Sequence, residues 1–126
     1  MGYTVKDLLE SNKFPEMQLI SDDSGIDREI KGVRIIEVAD MEKFLGGGEL
    51  LLTSMRAYEA TEEDAFLYHL KEFDKKQISG FIVKCCQRTE HLKRLFDILM
   101  EFSQEHHLSV IEIPENRYFW EIIKYI

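Results

Sequence analysis

The sequence predicts a single three-layer α/β domain, in which a mainly parallel central sheet is flanked by helices on both sides. Strand-like apolar runs alternate with helical segments along most of the chain, the rhythm of parallel β-α-β units. The run 80-GFIVK-84 is apolar at consecutive positions, which is typical of a strand buried on both faces. With 126 residues, 44% of them hydrophobic, the chain suffices for one core, and no interior linker divides it.

The first elements are short. Thr4 and Asp7 have the spacing of a capping box, which predicts a short first helix with Leu8 and Leu9 on its inner side. A strand is expected at 17-MQLIS-21, and a second at 33-VRIIEV-38, where β-branched residues are frequent.

Three consecutive glycines precede the first central strand. Asp40 is expected to cap the short helix 41-MEKFL-45, which ends at the glycines and is followed by strand 49-ELLLT-53. A phosphate-binding glycine loop has the opposite order, because it follows a strand and opens a helix. We therefore interpret the glycines as a structural turn, with Gly46 as the left-handed residue that ends the helix.

The second half of the chain is more regular. Thr61 and Asp64 predict another capping box, and apolar residues at helical spacing follow them. The strands near residues 50, 81 and 110 are expected to form the middle of the sheet, joined by right-handed crossovers. The remaining predicted elements are the strand 80–84, a helix from about residue 92 to His106, the strand 108–113 that stops at Pro114, and a last helix from Tyr118.

Polar and cationic side chains follow the three central strands. Because the carboxyl ends of parallel strands share one edge of the sheet, we expect these side chains to converge on a small polar or anionic molecule. The alternative is that each satisfies a loop or faces solvent. The candidate ligand-binding residues are Thr53, Ser54, Arg56, Lys84, Asn116 and Arg117.

Composition excludes several classes of function. A net charge of −8 disfavours direct nucleic-acid binding. The apolar runs are too short to span a bilayer and the start does not resemble a signal peptide, so we expect a cytoplasmic domain without membrane contact. The adjacent Cys85 and Cys86 are expected to be reduced thiols. We expect no cofactor or metal and no independent catalysis. His69 and His91 are expected to be exposed, and His106 and His107 are expected to lie at a helix end.

The segment 118-YFWEIIKYI-126 is an apolar helical pattern that stops without a cap. We expect the chain to be a fragment of a longer protein, in which this helix leads into a further domain.

Four segments together resemble a known family: 31-KGVRIIEVAD-40, 45-LGGGELLLTS-54, 80-GFIVK-84, and 110-VIEIP-114 with Phe119. Their order and spacing are similar to the N-terminal sensory domain of the PucR-like (purine catabolism) regulators of bacteria. The resemblance implies a non-catalytic domain that binds a small effector, purine-related by the family's name, and that precedes a helix-turn-helix domain. Family members often have a second threonine and then a glycine after GELLLT, where this chain has Ser54 and Met55. If that glycine lets a ligand approach closely, Met55 would alter the ligand or its pose.

Two alternatives remain open. The domain could be an interaction module that binds nothing small and forms a homodimer through Phe119, Trp120 and Ile123 of the last helix. The segment 32–53 also resembles part of the small N-terminal domain of Mur peptidoglycan ligases, which implies a role in holding a UDP-sugar substrate. Residues beyond 126 would distinguish a regulator from a ligase, since a ligase requires a P-loop there and a regulator requires a helix-turn-helix.

Overall fold

The structure is a computed structural model that describes residues 2–84 and 89–126. It contains a five-stranded sheet in the order β1-β5-β4-β3-β2, in which β1 is antiparallel to β5 and the other neighbours are parallel. The α/β class, the mainly parallel sheet and the central position of β3, β4 and β5 are confirmed. The strands are β1 Gln18–Leu19, β2 Gly32–Ile35, β3 Glu49–Thr53, β4 Gly80–Lys84 and β5 Ser109–Ile113.

Helices cover both faces of the sheet. Because successive strand residues point to opposite faces, Leu51 and Phe81 pack with α2 and α3, while Leu50 and Ile82 pack with α1 and α4. This is the predicted three-layer arrangement. None of the helices in the described ranges has the length and apolarity needed to cross a membrane. The helices are α1 Val5–Glu10, α2 Glu63–Lys75, α3 Glu90–Glu105 and α4 Phe119–Tyr125, with 3₁₀ turns at Met41–Phe44 and Arg56–Tyr58.

The two edge strands are shorter than predicted. The hydroxyl of Ser21 accepts a hydrogen bond from the amide of Val110 at 2.9 Å. In a longer β1, this amide would have donated to a backbone carbonyl of that strand. The side chain thus replaces the backbone partner and ends the strand. On the other edge, β2 begins at Gly32, and its pairing with β3 runs only to Ile35.

One predicted capping box is confirmed and the other is wrong. The amide of Asp7 donates to the Thr4 hydroxyl at 3.1 Å, and the Thr4 amide donates to the Asp7 carboxylate at 2.9 Å. The residue before α2 is Glu62, not Thr61, and it makes no side-chain cap. Asp40 also makes no cap, because its carboxylate pairs with Lys43 at 2.7 Å instead.

The glycines form a turn, but Gly46 is not its left-handed residue. Positive φ angles fall at Gly47 (123°) and Gly48 (79°), while Leu45 ends the 3₁₀ turn in an extended conformation. The amides of Gly46 and Gly47 donate to the carboxylate of the buried Glu49 at 2.7 and 2.8 Å. The turn does bind an anion, but that anion is a side chain of the same protein.

Candidate functional site

A cleft of about 520 Å³ lies at the carboxyl ends of the central strands. It brings together four of the six candidate residues, Ser54 and Arg56 after β3, Lys84 at the end of β4 and Asn116 after β5. They meet because parallel strands deliver their ends to one edge of the sheet. Among the described residues, the lining comprises Ser54, Arg56, Lys84, Glu115, Asn116 and Phe119.

Thr53 lies outside this lining. Its side chain is buried, and its hydroxyl accepts a hydrogen bond from the Met55 amide at 2.8 Å. Thr53 therefore shapes the turn that carries Ser54 into the cleft.

Arg117 also lies outside the lining, because two carboxylates hold its guanidinium elsewhere. It pairs with Glu16, and with Glu121 at 3.1 Å. Its guanidinium carbon lies 5.2 Å from the centroid of the Phe14 ring. These contacts join the segment before β1 to the first turn of α4, so Arg117 fixes the wall of the cleft.

Met55 occupies a backbone conformation that favours glycine. Its φ of 71° is left-handed, and its side chain, 1% exposed, packs among core residues that include Tyr58 and Phe66. Glycine would adopt this φ angle without strain, because it has no Cβ. Because the Met55 side chain does not line the cleft, it leaves the space for a ligand unchanged.

Two cationic side chains, Arg56 and Lys84, line the cleft. The Lys84 ammonium lies 4.6 Å from the centroid of the Phe119 ring and 5.8 Å from that of Tyr118. Among residues 2–84 and 89–126, no carboxylate lies within ion-pair distance of Lys84 or Arg56. Both groups can therefore bind an anion without first breaking an ion pair with this part of the chain.

Glu115 and Phe119 also line the cleft but were not among the candidate residues. Glu115 adjoins Asn116 in the loop after β5, so its position in the sequence could have identified it as a lining residue. Phe119 was expected on an interaction surface, and no local pattern indicates that its ring faces the cleft. Cys85 and Cys86 lie outside the described residues.

The prediction that His69 and His91 are exposed is wrong. His69 Nδ1 lies 2.9 Å from the Glu42 carboxylate, and the side chains of His69 and Glu42 are only 13% and 11% exposed. Burial beside Glu42 raises the pKa of the neighbouring Tyr58 phenol. His91 Nε2 donates to the Thr61 carbonyl at 2.7 Å, which ties α3 to the start of α2. None of these residues lines the cleft.

The other two histidines lie at the end of α3, as predicted. His106 follows the helix, stacks on Phe102 and has its Nδ1 3.3 Å from the Asp74 carboxylate. His107 Nδ1 lies 2.9 Å from the Ser24 hydroxyl. In the part of the chain that the structure describes, no three His, Cys, Asp or Glu side chains are grouped so as to hold a metal ion.

Comparison with known families agrees with the resemblance. The model of the purine catabolism regulatory protein-like family matches residues 7–126, nearly the whole chain. No curated protein matches it. The chain belongs to the purine catabolism regulatory protein-like family, a family of transcriptional regulators in which a domain of this kind is regulatory.

Proposed function

We propose that this family member is a sensory domain that binds a small metabolite in the strand-end cleft. The observation that supports this is the cleft, whose volume of about 520 Å³ lies within the range of small-molecule sites. Its hydroxyl, amide, charged and aromatic side chains offer several ways to orient a polar compound. A purine or a product of purine breakdown suits both this lining and the family.

The domain would act by population shift, without catalysis. A ligand that binds one arrangement of the cleft wall more tightly favours that arrangement. The wall includes the start of α4, so occupancy can bias this helix and, through it, a DNA-binding domain elsewhere in the regulator. Such a regulator would work in the cytoplasm, where its target DNA lies.

A thermal-shift screen tests the proposal. The chain is heated with purines, their degradation products, nucleotides, UDP-sugars and amino acids. A compound that binds only the folded state raises the melting temperature, and at 100 times its Kd it adds about 2.7 kcal/mol to the free energy of unfolding. A flat screen on the folded chain would overturn the proposal, whereas a response to UDP-sugars alone would favour the ligase alternative.

Matched variants locate the binding site. Asn116→Tyr places a bulky ring in the cleft at an exposed loop position and should abolish the shift. Gln104→Tyr adds the same ring to the exposed side of α3 and should preserve it. A shift that survives in Asn116→Tyr would place the ligand elsewhere.

A second candidate function is dimerisation, which the exposed apolar side chains of α4 and its cap favour. Tyr118, Trp120, Ile123 and Tyr125 are 61%, 60%, 37% and 40% exposed. A self-complementary patch of this kind would form a two-fold interface. Sedimentation equilibrium should then show a dimer that Trp120→Glu dissociates and Tyr68→Glu, on exposed α2 surface, does not. A monomer at high concentration would exclude this candidate.

A further inference from the structure

The cleft is locally cationic in an acidic protein. The chain has a net charge of −8, yet the cleft lining contains Arg56 and Lys84 and, among its described residues, one carboxylate, that of Glu115. Two cations that converge from β3 and β4 favour a negatively charged ligand, since each can donate charge-assisted hydrogen bonds to it.

Lys84 connects the cleft to α4. It is the last residue of β4, and its ammonium contacts the rings of Tyr118, which caps α4, and Phe119, the first residue of the helix. Trp120 follows them, with its ring stacked on that of Tyr118 at 6.5 Å. The position of the Lys84 ammonium is therefore part of what holds the first turn of α4.

We propose that the ligand of the cleft is a small organic anion, and that Lys84 transmits its binding to α4. This rests on the proposed sensory function. A charge-assisted hydrogen bond to an anion stabilises an ammonium group more than an exposed aromatic ring does. The ligand, bound between Arg56 and Lys84, draws the ammonium away from the Phe119 ring. The first turn of α4 loses that contact, which gives the helix a bound and an unbound arrangement.

The first test compares an anion with its neutral isostere. Titrations with benzoate and benzamide, with acetate and inorganic phosphate as further anions, are followed by ligand-observed NMR at low ionic strength. Benzoate should bind at least about tenfold more tightly than benzamide, and Lys84→Gln should weaken benzoate binding by about tenfold or more. Lys124→Gln removes the same charge from an exposed site on α4 outside the cleft, and should leave the affinity unchanged.

The second test follows α4 directly. Trp120 is the only tryptophan, so its emission on selective excitation reports on this helix. Benzoate should change the emission with the same midpoint as binding. In Phe119→Leu, where Lys84 has no Phe119 ring to leave, the change at saturating benzoate should be much smaller than in wild type.

The outcomes separate the two proposals. Equal binding of benzoate and benzamide, no loss of affinity in Lys84→Gln, or no binding of any of the three anions would overturn the anionic ligand. Binding without a Trp120 response, or an unreduced response in Phe119→Leu, would overturn the coupling. A metabolite that raises the melting temperature of wild type and Lys84→Gln equally would leave the sensory function standing and refute this inference.

Discussion

Two substitutions of Met55 test the left-handed turn after β3. The glycine variant should be more stable than the alanine variant, which is the reverse of the usual order. Replacing the buried Met55 by alanine removes most of a core side chain, at a cost of about 2–5 kcal/mol in the free energy of unfolding. Glycine removes one carbon more and is ordinarily about 0.5–1 kcal/mol worse than alanine in regular structure. At a φ of 71°, however, any residue with a Cβ is strained, by about 1–2 kcal/mol. Met55→Gly should therefore be more stable than Met55→Ala, by about 1 kcal/mol when these two effects are combined.

Urea unfolding of both variants measures the difference from the midpoints, provided that their slopes agree. Met100, half-buried in α3, is the matched control, because glycine should there be about 1 kcal/mol less stable than alanine. If Met55→Gly proved less stable than Met55→Ala, as at Met100, the strain assigned to a Cβ at this φ angle would be refuted.

Three further predictions concern the rest of the fold. Glu49→Gln replaces the carboxylate that accepts two glycine amides, and should cost about 1–3 kcal/mol by urea unfolding; a loss below about 0.5 kcal/mol would show that the turn does not need the charge. Thr4→Ala should cost about 0.5–2 kcal/mol and Thr61→Ala less than about 0.5 kcal/mol, since of these two residues Thr4 alone caps a helix; equal losses would contradict the assigned start of α2. Burial raises the pKa of Tyr3 to about 12 from an unfolded value near 10. The unfolded state therefore loses its proton first, and this contribution to stability, fully present below pH 10, is lost as the pH rises to 12. The free energy of unfolding of Tyr3→Phe should fall less steeply over this window, and parallel curves would exclude Tyr3 as the cause.

The central strands could be predicted from sequence because burial on both faces leaves a local signature. The segments Glu49–Thr53 and Gly80–Lys84 were predicted with the bounds that the structure shows. The failures have non-local causes. Thr61 matches the capping pattern as well as Thr4 does, but its amide donates to the Tyr58 carbonyl at 2.9 Å. That bond keeps Thr61 in the turn that precedes α2, and the turn depends on packing around Tyr58.

The candidate site was also predictable only in part. Parallel topology determines which residues reach the strand-end edge, and this part was predictable. Which of their side chains remain in the cleft depends on what else can bind them. Arg117 is captured by Glu16, 101 residues earlier, whereas Arg56 and Lys84 meet no such carboxylate within the described ranges. In an acidic domain, a cation that has no carboxylate partner in the described ranges is a stronger candidate for anion binding than its sequence position alone indicates. Lys84 is the more informative of the two, because its present contact is with the helix that a signal would have to move.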